Sequence, residues 1–175
     1  MDWKKEYANK IVSVEEAVSH VQSGNRIVFT HACGEAQALT EELVRQADRL
    51  ENVEIVHMVA MGKAPYCQPG MEKHFRHNAL FVGGSTRKAV EEGRGDYTPC
   101  FFHEIPKLFT DGTLPVDVAF LQLSEPDENG VCSYGVSVDY TQPAAEAAKL
   151  VIAQINKNMP YTYGNGINLK DIDYI

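Results

Sequence analysis

No CxxC pair occurs in this chain of 175 residues, and its four cysteines, Cys33, Cys67, Cys100 and Cys132, stand far apart. That spacing excludes the usual structural zinc knuckles and points to free thiols in a reducing compartment. Their near-even separation is not a repeat, because the flanking residues share nothing else. There is no basic run, and the net charge is -8, so phosphate neutralisation along a nucleic acid is not expected. No apolar stretch reaches membrane-spanning length. The opening "MDWKKEYANK" is polar, without the apolar segment of a secretory signal. Neither GxGxxG nor a GK[ST] phosphate loop is present, which removes the two commonest nucleotide fingerprints. With no membrane segment and no nucleic-acid footprint, a cytoplasmic address is the expectation.

What remains is an alternation of short apolar runs with amphipathic ones. Ser13, with Glu16 three residues on and Gly24 as a stop, predicts a capped helix in "SVEEAVSHVQSG". "RIVFTH" predicts a strand. "ALTEELVRQADRL" predicts a helix with Leu39, Leu43, Ala47 and Leu50 on one face. "NVEIVHMVA", "NALFVGG", "VDVAFLQLS" and "LVIAQINKN" read as further strands. "STRKAVEEG" and "PAAEAAKLV" read as helices. Such alternation predicts an α/β fold with a mainly parallel sheet and helices on both faces. Residues 61–76 read as loop plus a short helix, and residues 96–114 as irregular, punctuated by Pro99 and Pro106. The end, "NLKDIDYI", reads as the start of another strand. The expectation is one domain over residues 1–175, the N-terminal portion of a longer, two-domain protein.

Ligands of parallel sheets bind beyond the carboxyl ends of the strands, so the strand exits hold the candidate chemistry. At the first, "FTHACGEAQ", His31 offers a hydrogen bond to a substrate carbonyl or carboxylate, or is a structural histidine bonded to backbone. A nucleophilic pairing of Cys33 with His31 is weakly supported, since nothing visible lowers the thiol pKa. At the second, Gly83 and Gly84 permit close approach to the backbone, Ser85 and Thr86 open a helix, and Arg87 suits phosphate or carboxylate. The competing reading is a simple helix cap by Ser85 or Thr86. At the third, Ser124 to Gly130 combines Pro-Asp with Asn-Gly. Either it turns a hairpin, or it throws Ser133, Tyr134, Gly135 and Ser137 back over the sheet edge as ligand contacts. His103 and Glu104 sit in a proline-bounded segment that could line an entrance. His74 and His77 lack a third ligand at metal spacing, so no metal site is predicted.

Several segments taken together are similar to a known family. "HACGEAQAL", "FVGGSTRKAVEEGRGDYTPCFFHEIPKLF", "DVAFLQLSEPDENGVCSYGVSVDY" and "VIAQINKNMPYTYG" resemble the acetyl-CoA hydrolase/transferase family, in order and across nearly the whole chain. The run S-x-P-D-x-x-G-x-x-S-x-G beside "RGDYTP" is the most specific part. The resemblance implies the N-terminal half of an enzyme that moves CoA between short-chain carboxylic acids, 4-hydroxybutyrate or butyrate exchanging with acetate. A glutamate in the C-terminal half would carry the intermediate, so Glu35, Glu104, Glu125 and Glu128 are not assigned as nucleophile and no catalytic residue is expected in this portion. It implies His31 facing the acyl group, Gly135 on the pocket wall and Gly34 in a loop that lines the cleft; with the turn reading of Ser133 and Ser137, these are the expected substrate contacts. It places Gly84, Ser85, Thr86 and Arg87 in loops along the cleft, where they would meet CoA or another anion. No permanently bound cofactor is implied: a coenzyme A thioester is the substrate. The implied partners are the C-terminal domain, the acyl-CoA and carboxylate, and further copies in a homo-oligomer. Where many members have Gly-x-Pro, this chain has Gly34-Glu35-Ala36, a departure that weakens any role for Glu35. An acyl-CoA hydrolase of the same family and a non-catalytic ligand-sensing α/β domain are the alternatives.

Overall fold

Six parallel strands build the centre of the molecule, which a computed structural model describes for residues 2–175. In chain order the elements are α1 (Trp3–Glu6), α2 (Val14–Ser19), β1 (Arg26–Phe29), α3 (Gln37–Arg45), β2 (Val53–His57), β3 (Phe75–Ala79), α4 (Arg87–Glu91), β4 (Gly95–Tyr97), α5 (Ile105–Thr110), β5 (Val118–Leu123), β6 (Val131–Ser133), α6 (Thr141–Ala147), β7 (Leu150–Ile155) and β8 (Gly166–Asn168). The large sheet runs β4-β3-β2-β1-β5-β7 and every pairing in it is parallel. β1 is followed by β2, β3 and β4 to one side and flanked by β5 and β7 on the other. The strand order therefore reverses between β1 and β5, and the carboxyl ends at that reversal are where a parallel sheet leaves a crevice.

Burial explains why these runs become strands. All six residues of β5 are buried, as a strand covered on both faces requires. On one face α2 and α3 seat Val18, Leu39 and Leu43 against Ile27, Phe29, Ile55 and Phe120. On the other, Ile105 and Phe109 of α5 and Ala144 of α6 pack with Val28 and Val56. The predicted apolar face of α3 is buried in full, including Ala47 and Leu50 beyond the helix. Ser13 caps α2 by accepting from the Glu16 amide at 3.1 Å.

Several sequence expectations are corrected. The strand expected over residues 78–84 is shifted toward the N-terminus, to Phe75–Ala79, sharing Asn78 and Ala79 with the expectation and taking Phe75 and Arg76 from the stretch expected to be loop and short helix. Its polar residues hid it: Arg76 pairs with Asp96, and Asn78 donates to Glu54 at 2.8 Å and accepts from Thr98 at 2.8 Å. Those partners lie on or beside β2 and β4 and come within reach only once the sheet forms. The helix expected from Ser85 starts at Arg87, and neither Ser85 nor Thr86 caps it through its side chain. The 96–114 segment, expected to be irregular, holds most of β4 and all of α5. The Asp127–Gly130 turn forms, with the Gly130 amide donating to Asp127 at 3.1 Å, but β6 pairs antiparallel with β8 rather than folding into a simple hairpin on β5. Near the C-terminus, β8 and a short 3-10 turn at Leu169–Asp171 precede an isolated parallel bridge from Tyr174 to Ile152, in place of one new strand.

Candidate functional site at the strand exits

The chain leaves β1 through Thr30, which bonds the seam at the strand-order reversal: its hydroxyl donates to the Phe120 carbonyl at 2.9 Å and accepts from the Gln122 amide at 3.3 Å. Two residues later Ala32 adopts φ +55°, a left-handed conformation that a residue with a Cβ enters only at a cost of about 1–2 kcal/mol. That strained step closes a tight turn in which the Gly34 amide donates to the His31 carbonyl at 3.0 Å. A Cβ on Gly34 would lie 2.8 Å from Thr30 Cγ2 and 3.0 Å from Ser137 Oγ, so the turn admits only glycine without rearrangement. The turn splits the site into two sides.

One side belongs to His31. Its Nδ1 lies 2.8 Å from Asp139 Oδ2. The Ser137 hydroxyl donates to its carbonyl at 2.6 Å, and its ring lies 5.4 Å from Tyr140 and 5.6 Å, edge on, from Phe102. Tyr140 is itself pinned, donating to the Phe29 carbonyl at 3.0 Å and accepting from the Met58 amide at 3.3 Å. Burial raises the Asp139 carboxyl, but the hydrogen bond and charge of His31 and the amides of Tyr140 and Thr141 outweigh it, leaving Asp139 below its ordinary value. Cys33 is exposed and takes no part in this contact.

The other side belongs to Glu35, which is 4% exposed and accepts from the Gly62 amide at 3.3 Å. Burial pushes its carboxyl above the ordinary range, against the lowering effect of that amide. Glu35 lines a cleft of about 450 Å³ together with Gln37, Met61, Gly62, Lys63 and Ser85. A second strained residue, Ala64 at φ +43°, shapes this loop. The departure from Gly-x-Pro argues against a role for Glu35, yet burial against Gly62, not its neighbours in the chain, places it on the wall.

The turn at Ser124 does return the chain across the sheet edge. Ser124 Oγ accepts from the Ser133 amide at 2.9 Å, and the Ser124 amide donates to the Ser133 carbonyl at 3.0 Å. Ser133 faces inward: its hydroxyl accepts from the Gly135 amide at 3.0 Å and lies 2.9 Å from Thr162 Oγ1. Tyr134 is buried as well. Ser133 is therefore a pin for the returning segment, while Ser137 is the residue that reaches His31. Gly135 sits at φ +62° with Met159 packed against it, where a Cβ would overlap Sδ.

At the β3 exit, Gly84 and Arg87 are exposed, and Ser85 meets the cleft. Thr86 is buried with its hydroxyl unpartnered. Among the described residues Arg87 makes no ion pair. α4 has only five residues, so this loop offers a flexible guanidinium and bare glycine backbone rather than a strong helix terminus. His103 and Glu104 lie exposed in a short 3-10 turn, Glu104 accepting from the Phe101 amide at 3.1 Å. His74 and His77 bond to the Leu50 and Ile55 carbonyls, at 2.8 and 3.2 Å.

The exits of β1, β2, β3 and β5 thus share one rim of a parallel α/β sheet, with a buried carboxyl on one flank and a carboxylate-held imidazole on the other. That architecture is matched among known proteins. The family model of the acetyl-CoA hydrolase/transferase N-terminal domain matches residues 1–175, and the chain belongs to that family. It is 59% identical over 176 residues to the 4-hydroxybutyrate coenzyme A transferase of Clostridium kluyveri, covering 100% of this chain and 41% of that protein. Among solved structures, a 4-hydroxybutyrate CoA-transferase from Porphyromonas gingivalis superposes with a TM-score of 0.82 at 35% identity, over 99% of this chain and 40% of that one. RipA from Yersinia pestis, at 24% identity and a TM-score of 0.91 over 99% of this chain and 43% of its own, shares the fold. The chain thus spans about two fifths of the length of the relatives it matches.

Asp139 carries no signal in the sequence. It stands 108 residues from His31, and no local pattern marks one acid in "VSVDY" as the partner of a distant imidazole.

Proposed function

We propose that this chain is the N-terminal half of a cytoplasmic CoA-transferase that exchanges CoA between short-chain acids, 4-hydroxybutyrate or butyrate on one side and acetate on the other. The observation that carries this reading is the shared rim: His31 and Glu35 from the β1 exit, Ser85 from the β3 exit and Ser137 from the returning segment after β6 meet around one turn and one cleft. The 59% identity to a 4-hydroxybutyrate coenzyme A transferase supports the substrate class. In this reading a glutamate from a C-terminal domain attacks the acyl-CoA carbonyl. An acyl–glutamyl anhydride forms and CoA leaves as the thiolate. The thiolate then attacks the glutamyl carbonyl, releasing the first carboxylate and leaving a glutamyl-CoA thioester, which the second acid resolves by the reverse steps. Nε2 of His31 meets the acyl group, Gly34 and Gly135 hold the wall, and Arg87 with the Gly84–Thr86 backbone meets an anionic group of CoA. The rim is also rich in exposed apolar side chains, Met61, Phe81, Phe101, Phe102, Val136 and Val138, all in loops that follow the carboxyl ends of strands. Exposed apolar side chains gathered at strand exits are what a packed partner domain covers.

Two measurements test the reading. Full-length protein incubated with acyl-CoA should carry a CoA adduct on a carboxylate by mass spectrometry. The 175-residue chain alone, given acetate and acyl-CoA, should transfer nothing. Robust transfer by the short chain, or an adduct on Cys33, would overturn the division of labour.

A further inference from the structure

We propose that Asp139 is a positioning residue for His31, fixing the ring so that its Nδ1 carries the proton and its Nε2 is presented to the substrate. The inference rests on the reading that His31 meets the acyl group, and it adds the device that orients it.

The two oxygens of Asp139 have separate tasks. Oδ1 accepts from the Tyr140 amide at 2.6 Å, the Thr141 amide at 3.3 Å and the Thr141 hydroxyl at 3.4 Å, which anchors the carboxylate at the start of α6. Oδ2 is left for His31 Nδ1 at 2.8 Å. An ionised carboxylate only accepts hydrogen bonds, so Nδ1 must be the protonated nitrogen. Nε2 makes no hydrogen bond among the described residues. In the neutral ring it is an acceptor, and in the charged ring a donor. The ring has little freedom to choose otherwise. Ser137 holds its carbonyl, Tyr140 and Phe102 flank it, and the strained Ala32 fixes the backbone beyond it. Both side chains are mostly covered, at 16% and 24% exposure, so water competes poorly for the contact.

Asparagine at 139 is a sharp test. Its single oxygen can keep the α6 amides while its NH₂ group turns toward Nδ1. Nδ1 must then accept, and the ring proton moves to Nε2. In the full-length protein with ¹⁵N-labelled histidine, the His31 ring, assigned by its loss in His31→Gln, should show a protonated Nδ1 in the unmutated protein and a protonated Nε2 in Asp139→Asn. The kcat for CoA transfer should fall on the order of 10²-fold, the low end for a mispositioned proton-handling group, with KM for acyl-CoA changed less than about threefold. In a His31→Ala background the same substitution should change kcat by less than about threefold, because coupled residues lose their effect together. Asp139→Ser is the second variant. It keeps a capping oxygen for α6 and removes the partner of His31, and it should lower kcat without inverting the ring. An unchanged tautomer in Asp139→Asn, or an equal loss of kcat with and without His31, overturns the positioning role. A silent His31→Ala overturns it as well. If the unmutated protein transfers no CoA, the proposed function fails instead, and the tautomer measurement alone decides this inference.

Discussion

Replacing Gly135 by alanine probes the packing of the returning segment that carries Ser137 to His31. Two effects add. The backbone there has φ +62°, and placing a Cβ in the left-handed region costs about 1–2 kcal/mol. The new methyl would also overlap Met159 Sδ and sit 2.5 Å from Met159 Cγ and 3.2 Å from the Pro160 carbonyl. Methionine can move, but Met159 is only 8% exposed and the carbonyl is backbone, so relief is partial. Overpacking of that kind costs typically ~1–3 kcal/mol. Adding the two ranges near their middles, the expected destabilisation is about 2–4 kcal/mol. Gly24→Ala supplies the reference, because Gly24 has φ +79° and nothing within 4 Å of the position its methyl would take. It should lose only the conformational part, about 1–2 kcal/mol. Urea unfolding, followed by circular dichroism with equal slopes for each variant, measures both. Gly135→Ala should exceed Gly24→Ala by at least about 1 kcal/mol, the low end of the overpacking range. Equal losses would refute the packing argument.

Two further predictions concern buried titratable groups. His57 is held neutral, its pKa lowered to about 3 by burial first and by the neighbouring His77 and His31 next. The unfolded chain binds that proton near pH 6.5, so stability is present above this value and lost as pH falls through it toward 3. Between about pH 7 and 5 the His57 share of the loss should be about 2 kcal/mol; His77, lowered to about 4 by burial, adds a loss of the same sign, so His57→Gln should make the acid limb shallower without abolishing it in parallel urea titrations. An acid limb of unchanged slope in that variant would sink the assignment. Glu35 titrates with the opposite sense: burial raises its pKa, so the folded state favours the protonated acid. Its contribution is present below the unfolded value near 4.5 and lost as pH rises through the folded one. Relative to the unmutated protein, Glu35→Gln should therefore gain stability from pH 4.5 upward, its amide oxygen still accepting from Gly62. A stability difference that does not vary with pH would contradict the burial argument.

Much of the architecture was legible in the sequence because it is written in short-range pattern. The runs at Val118–Leu123 and Leu150–Ile155, the face of Leu39 and Leu43, and the Ser13 cap each depend on residues a few positions apart, so periodicity and turn chemistry determine them alone. From these followed the parallel sheet, the helices on both faces and the strand exits as the place to look. The tertiary structure decided the rest, because it rests on partners that lie far away in the chain. β3 is a strand although Arg76, His77 and Asn78 are polar, since Asp96 and Glu54 pair with Arg76 and Asn78, and the Ile55 carbonyl with Nδ1 of His77, across neighbouring strands. Ser133 turned inward and Ser137 toward His31 because Thr162 lies beside the one and the β1 exit beside the other. Glu35 became a cleft wall and Asp139 the partner of His31 through contacts spanning 27 and 108 residues. A hydrogen bond needs its donor and acceptor brought to within about 3 Å, and over such separations only the packed sheet brings them there.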